Sequence, residues 1–287
     1  MASASPLLSA VQMCSVPDID ENLTFIAKQL TKITAQASNR EHLVLLPECC
    51  LYFGGKEQDQ LSIAHNEQAQ VTMIEGLASL AHTHSVNLLA GSLPTPALGG
   101  DHHKFYNTSC LFSPQGELVG DYQKLHLFDV VVADNEKTYR ESRYTQAGQK
   151  ISCLSLPFAQ IGLSICYDVR FPELFRQLAQ QGADIITVPA AFTRVTGKAH
   201  WQTLLQARAI ENQVYIVAAG QEGVHANGRE TWGHSMIVSP WGEILSQQAT
   251  GLGVVSAEFD LNILAQVRSS IPVNQHNRFK TELIHDE

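Results

Sequence analysis

Short apolar runs alternate with longer segments of helical spacing, and this alternation constrains the fold more than any other feature. In the second half the order reads strand, helix, strand, helix, strand. Its pieces are Ile161 to Ile165, a helix from about Pro172 to a stop at Gly182, Ile185 to Val188, a helix over 199–213, and Val214 to Ala219. Proline suits a first helical position and glycine suits the residue after the last turn. Further strands are expected at Ser235 to Val238 and Val254 to Phe259, separated by the Pro240-Trp-Gly242 turn. Strands interspersed with helices favour a layered α/β fold.

The first half follows the same rhythm. Leu7 to Met13 reads as a strand, and Asp18 with Glu21 makes a capping-box pattern. Leu23, Ile26, Leu30 and Ile33 then recur at helical spacing, so one face of that helix meets a core. Leu43 to Leu46 is a short buried strand ended by Pro47, residues 66–82 form a helix with Ile74, Leu77 and Ala81 on one side, and Val86 to Ala90 begins another strand. Ser113-Pro-Gln-Gly116 is a turn between strands at Thr108 to Phe112 and Glu117 to Val119. Residues 129–149 lack a sustained period and read as an excursion from the core, a candidate lid. No linker-like stretch interrupts the chain, so one domain is expected over 1–287 with its core at about 7–280.

Composition excludes several classes. A chain of 287 residues buries about 75% of its unfolded surface and needs no staples. A formal charge of -9 argues against a general nucleic-acid binder. No apolar run is long enough to span a bilayer, and the N-terminus has no basic n-region, so neither a membrane anchor nor a signal peptide is expected. The six cysteines Cys14, Cys49, Cys50, Cys110, Cys153 and Cys166 match no zinc spacing. No metal is therefore expected, and a reducing, cytoplasmic setting is. The sequons at Asn22 and Asn107 then read as chance matches.

The richest local sequence is Gly162-Leu-Ser-Ile-Cys-Tyr-Asp-Val-Arg-Phe-Pro-Glu173. A strand delivers Cys166 into a polar turn before a helix, where a helix N-terminus would favour a thiolate. A small core cysteine is the plain alternative. A nucleophilic thiol needs a base and oxyanion donors. Glu48, after a buried strand and Pro47, is a candidate base, or a turn residue bonding backbone amides. Lys124 is a candidate oxyanion-stabilising cation, or a solvent-facing lysine.

Four segments together carry a resemblance. Leu-Pro-Glu48, Tyr-Gln-Lys124-Leu-His-Leu-Phe-Asp, Tyr-Arg-Glu141-Ser and Ser-Ile-Cys166-Tyr-Asp-Val-Arg-Phe-Pro-Glu resemble, in order, the nitrilase or carbon–nitrogen hydrolase superfamily. The resemblance runs from about residue 7 to 280. It implies a four-layer αββα sandwich, often assembled as a homodimer or higher homo-oligomer through an outer helix layer. It also implies Cys166 as nucleophile, Glu48 as general base, Lys124 and the Tyr167 backbone amide as oxyanion stabilisers, and Glu141 as an auxiliary glutamate. No cofactor is implied.

Substrate class follows less directly. Arg170 is a candidate carboxylate ligand, or a bridge to Asp168 or Glu173. Phe192 is a candidate pocket wall, and Thr193 and Thr196 are candidate hydrogen-bond donors, or a helix cap. Arg194, Lys198 and Arg229 are either contributors to a positive field or ordinary surface charges. The segments around Lys124, His200 and His234 are most similar to the deaminated glutathione amidase subgroup. That implies a small anionic amide as substrate, with water as the second substrate. An omega-amidase acting on alpha-ketoglutaramate, a nitrilase, a carbamoylamide hydrolase and a catalytically silent binding protein on the same fold are the competing readings. The tandem Cys49-Cys50 departs from the aromatic or small residues expected there.

Overall fold

The computed structural model describes residues 4–35, 40–97, 102–134 and 138–284. Residues 135–137 of the predicted excursion thus lie outside the described residues. In chain order the elements begin with β1 (Leu7–Gln12), α1 (Ile19–Thr34), β2 (His42–Leu45), α2 (Glu57–Ala64), α3 (Glu67–His84), β3 (Asn87–Pro96), β4 (Phe105–Phe112) and β5 (Leu118–Gln123). A small hairpin follows, β6 (Asp129–Val131) and β7 (Thr138–Arg140). Then come β8 (Cys153–Leu156), β9 (Ala159–Leu163), α4 (Pro172–Gln180), β10 (Ile185–Ala190), α5 (Arg194–Asn212) and β11 (Tyr215–Gly220). A second hairpin, β12 (Glu222–Val224) and β13 (Glu230–Trp232), precedes β14 (Ser235–Val238), β15 (Ile244–Gln248), β16 (Gly253–Glu258), α6 (Leu261–Ser270) and α7 (Val273–His276).

Two six-stranded sheets share one plan. The first runs β16-β1-β2-β3-β4-β5 and the second β15-β14-β11-β10-β9-β8. In each, three adjacent parallel strands, β1-β2-β3 and β9-β10-β11, are flanked by antiparallel neighbours. Side-chain alternation explains the layering. Leu8, Ala10, Leu43, Leu45 and Leu89 point inward to the cluster shared with the second sheet, while Val11, Val44, Leu46 and Leu88 point outward. The outward set meets Ile26, Leu30 and Ile33 of α1 and Met73, Leu77 and Ala81 of α3. On the far side, Phe175 and Leu178 of α4 and Trp201, Leu205 and Ala209 of α5 cover the second sheet. The order is helix, sheet, sheet, helix, the four-layer αββα sandwich. Burial on both faces is why these strands read as continuous apolar runs.

Local signals explain the helix starts. The Asp18 side chain accepts from Glu21 N at 2.9 Å and caps α1. Pro172 opens α4, and Gly182, at φ +95°, follows its end. Three departures stand out. Helix α2 was not anticipated, because its residues carry little amphipathic pattern. Helix α5 starts at Arg194 rather than 199, with Thr193 as its cap. The turn after β9 is a 3₁₀ segment over Cys166–Arg170 that precedes α4, so Cys166 does not sit at an α-helix N-terminus.

Among the described residues no helix is long and apolar enough to cross a membrane.

Candidate active site

The parallel strands of both sheets end on one cleft. Such strand ends are where open α/β sheets place their ligands. Glu48 follows β2, Lys124 follows β5, Cys166 follows β9, and Ala191 with Phe192 follows β10. These residues, with Asn107, Tyr139, Glu141, Thr196 and Arg229, line a cleft of about 970 Å³ including its open mouth.

Close backbone packing fixes the carboxylate of Glu48. Strand β3 bulges between Ala90 and Leu93, and Gly91 lies against the turn after β2. A Cβ at Gly91 would sit 2.1 Å from Leu46 O and 2.3 Å from Pro47 O. Only glycine lets the two chains approach this closely. Buried Gln221 completes the turn, donating to Glu48 O at 2.9 Å and to Ser15 Oγ at 2.7 Å.

The carboxylate itself is almost fully enclosed and saturated with donors. Its Oε1 accepts from Lys124 Nζ at 2.7 Å and from Asn107 Nδ2 at 3.1 Å, and its Oε2 accepts from Ala191 N at 2.9 Å. Glu141 faces the same cation. Lys124 Nζ donates to its two oxygens at 3.0 and 2.9 Å, Asn107 Nδ2 to Oε1 at 3.2 Å, and Phe128 N to Oε2 at 2.7 Å. Glu141 comes from the 3₁₀ turn right after β7, so the predicted excursion is a hairpin tied back to the cleft.

Cys166 is buried and holds φ at +49°, a left-handed conformation that a side chain rarely adopts. Asp168 fastens this turn. Its Oδ2 accepts from Ile165 N and Tyr122 Oη, both at 2.8 Å. Its Oδ1 accepts from His126 N at 3.1 Å and His126 Nδ1 at 2.7 Å, so that imidazole nitrogen carries the proton. Tyr122 and His126 flank Lys124 in sequence. One fully buried carboxylate therefore locks the lysine-bearing segment onto the cysteine turn.

Charge sets the protonation states. Burial pushes the Glu48 carboxyl up, but the charge and hydrogen bond of Lys124 and the charge of Arg229 outweigh it and leave the group below its ordinary range. Burial pulls Lys124 down, and Glu141 and Glu48 more than reverse it, so the ammonium is held firmly charged. Burial and then the Glu48 charge push the Cys166 thiol well up, with Lys124 opposing. The resting cysteine is a thiol beside a ready carboxylate, not the thiolate expected from a helix end. Cys49, in the cleft wall at φ +54°, and buried Cys50 are both pushed up to about 12 by burial.

The remaining candidates fall into two groups. Phe192 and Thr196 line the cleft. Thr193 is buried as the α5 cap, its hydroxyl 2.9 Å from that of Thr196. The Tyr167 ring packs on Phe128 and Phe171 outside the cleft lining. Arg170 does not line the cleft either. Its guanidinium lies 5.1 Å from the Phe192 ring and 3.2 Å from His200 Nδ1, and Asp168 is occupied elsewhere. Arg194 pairs with Glu230 at 3.0 Å, and Lys198 is exposed. Sequence reasoning missed Asn107, Arg140 and Lys56 as cleft residues. Asn107 was visible only as a sequon. Among the described residues no cluster of His, Cys, Asp or Glu could hold a metal ion.

Comparison with known proteins agrees with this geometry. Residues 7–269 match the family described as carbon-nitrogen hydrolase. A protein of Synechocystis named deaminated glutathione amidase is 45% identical over 276 residues, covering 95% of this chain and 98% of its own. The crystal structure of the NitFhit protein of C. elegans superposes with a TM-score of 0.88 at 36% identity, covering 97% of this chain and 66% of that one. An amidase of Nesterenkonia, solved as its E41Q mutant after Michael addition of acrylamide at the active site cysteine, superposes at 0.75 with 25% identity. It covers 94% of this chain and 99% of that one. This chain belongs to the carbon-nitrogen hydrolase family of the nitrilase superfamily and is a hydrolase of carbon–nitrogen bonds.

Proposed function

We propose that the protein is a thiol-dependent amidase that hydrolyses the omega-amide of deaminated glutathione to alpha-ketoglutarate and cysteinylglycine. The observation that carries this reading is the meeting of Cys166, Glu48 and Lys124 at the floor of one cleft. The named activity of the Synechocystis relative and the cysteine adduct in the Nesterenkonia amidase support it.

Chemistry runs in two halves. Cys166 Sγ attacks the amide carbon while Glu48 takes the thiol proton, a general-base role suited to a lowered carboxyl beside a raised thiol. The oxyanion forms against Lys124 and the Tyr167 N–H. An ammonium has three donors, and the two carboxylates can be served by two of them, which leaves the third for the oxyanion. The C–N bond breaks as Glu48 returns the proton to the leaving amine, and a thioester remains on Cys166. Glu48 then takes a proton from water, which attacks the thioester; the C–S bond breaks, Glu48 returns that proton to the Cys166 sulfur, and the acid leaves. Glu141 and Asn107 hold Lys124 and Glu48 in place throughout. Splitting hydrolysis into acylation and deacylation is what a covalent nucleophile contributes.

The test is a substrate panel on purified protein containing deaminated glutathione, alpha-ketoglutaramate, simple amides, carbamoylated amines and nitriles. The highest kcat/KM is expected on deaminated glutathione. A large preference for alpha-ketoglutaramate makes the enzyme an omega-amidase instead.

A further inference from the structure

We propose that Arg229 is the ligand of a substrate carboxylate, so that the cleft selects amides whose acyl part carries a negative charge. This rests on the amidase reading above and deepens it. Arg229 immediately precedes β13, at the base of the β12–β13 turn, which is closed by His225 N to Arg229 O at 2.9 Å and by Gly228 N to His225 O at 2.8 Å. Its guanidinium carbon stands 5.0 Å from the Phe53 ring centroid and 5.0 Å from that of Tyr139. Two aromatic rings thus hold the guanidinium, and its Nη2 donates to Ala191 O at 3.2 Å.

This arginine is both fixed and unspent. Its Nε is buried with no hydrogen-bond partner. Among the described residues no carboxylate lies within ion-pair distance of it. A rigid, planar fork with donors to spare matches a carboxylate. It also stands near the chemistry. Its charge is felt by Glu48, and the backbone of Ala191 touches both, its N–H donating to Glu48 and its carbonyl accepting from Arg229. Arg140 and Lys56, both exposed at the same cleft, add positive charge at the mouth. The lining therefore carries four cations against two carboxylates in a chain of net charge -9. Such a local excess draws an anion to a cleft that the whole molecule would repel. Arg170, which the sequence put forward as the carboxylate ligand while naming Arg229 only as a possible part of a positive field, is not in the lining.

The experiment compares a matched pair, glutaramate and valeramide, which differ in the terminal carboxylate. Wild type is expected to favour glutaramate, and Arg229→Gln to reduce that preference about 100-fold, chiefly through KM. Arg229→Lys, which keeps the charge but not the fork, should fall between them. Calorimetric binding of glutarate gives a readout without turnover and should weaken at least 30-fold in Arg229→Gln. An equal loss on both amides, or an unchanged preference with unchanged glutarate binding, overturns the proposal. Wild-type protein that turns over neither amide nor deaminated glutathione would instead bring down the amidase reading itself.

Discussion

Replacing Asp168 by Asn probes how the cysteine turn is held. The carboxylate accepts four hydrogen bonds, two on each oxygen, and is fully buried. Asparagine keeps one accepting oxygen and offers an amine in place of the other. Tyr122 Oη and the His126 ring can reverse their roles, but the N–H groups of Ile165 and His126 cannot. Whichever way the amide turns, one backbone donor is left facing another. An unpaired buried donor costs about 1–3 kcal/mol, and each surviving bond loses about 1 kcal/mol of charge assistance. Together these give a loss of about 4 kcal/mol, reduced somewhat by easier burial of a neutral group. Chemical denaturation reads this directly. Catalysis should suffer as well, since this carboxylate bonds the Ile165 N–H next to Cys166 in its left-handed turn. A shift near 1 Å is enough to cost about 100-fold in kcat. An Asp168→Asn enzyme within about 1 kcal/mol of wild-type stability and with full kcat would refute the argument.

Other expectations follow from the same geometry. Gly91→Ala places a Cβ against Leu46 O and Pro47 O, so the Glu48 turn must move; a loss of about 1–3 kcal/mol by denaturation, together with loss of turnover, is expected. Asn107→Ala removes donors from both Glu48 and Glu141 and should lower kcat by about 10–100-fold, or about 1.4–2.7 kcal/mol; an unchanged kcat contradicts its positioning role. Burial lowers His42 and His225 from 6.5 to about 4. The unfolded chain then binds the extra protons, so stability is complete above pH 6.5 and declines as pH falls toward 4. At pH 5 the loss is about 2 kcal/mol for each histidine, measurable by denaturation at pH 7 and pH 5. Stability that is flat across that interval contradicts the assignment. Because Glu48 lies below its ordinary value of 4.5, kcat/KM for a neutral amide should show no Glu48 acid limb between pH 5 and 7. An acid limb in that interval with a neutral amide, on protein that circular dichroism shows still folded, would show that the base is not held down as described.

What the sequence disclosed depended on whether the signal was local. The α1 start was legible because Asp18 caps it within one turn, and the cysteine turn because strand, polar turn and Pro172 are contiguous. The layer order was not legible from periodicity, since β1, β2 and β3 pair across intervals filled by helices, and only the family resemblance supplied it. Cys166, Glu48 and Lys124 were each open to a functional or a plain reading from their own segments; the resemblance joined them and added Glu141, since nothing in their spacing brings them together. Asn107 was missed as a cleft residue, and Arg229 stood only as one of three possible contributors to a positive field, for the opposite reason. Each looks ordinary in its own segment and acquires meaning only from neighbours far along the chain, Glu48 and Glu141 for one, Phe53, Tyr139 and Ala191 for the other. Arg170 was put forward for its closeness to Cys166 in sequence; in the fold its guanidinium stands over the Phe192 ring and beside His200.

In the proposed mechanism a single thiol, that of Cys166, carries the acyl group. Acid-quenching the enzyme during turnover of deaminated glutathione, followed by peptide mass spectrometry, tests it most directly. An alpha-ketoglutaryl adduct is expected on the peptide containing Cys166 and should be absent in Cys166→Ala, which should fold but not turn over. An adduct confined to Cys49 or Cys153, or normal turnover by Cys166→Ala, would contradict it.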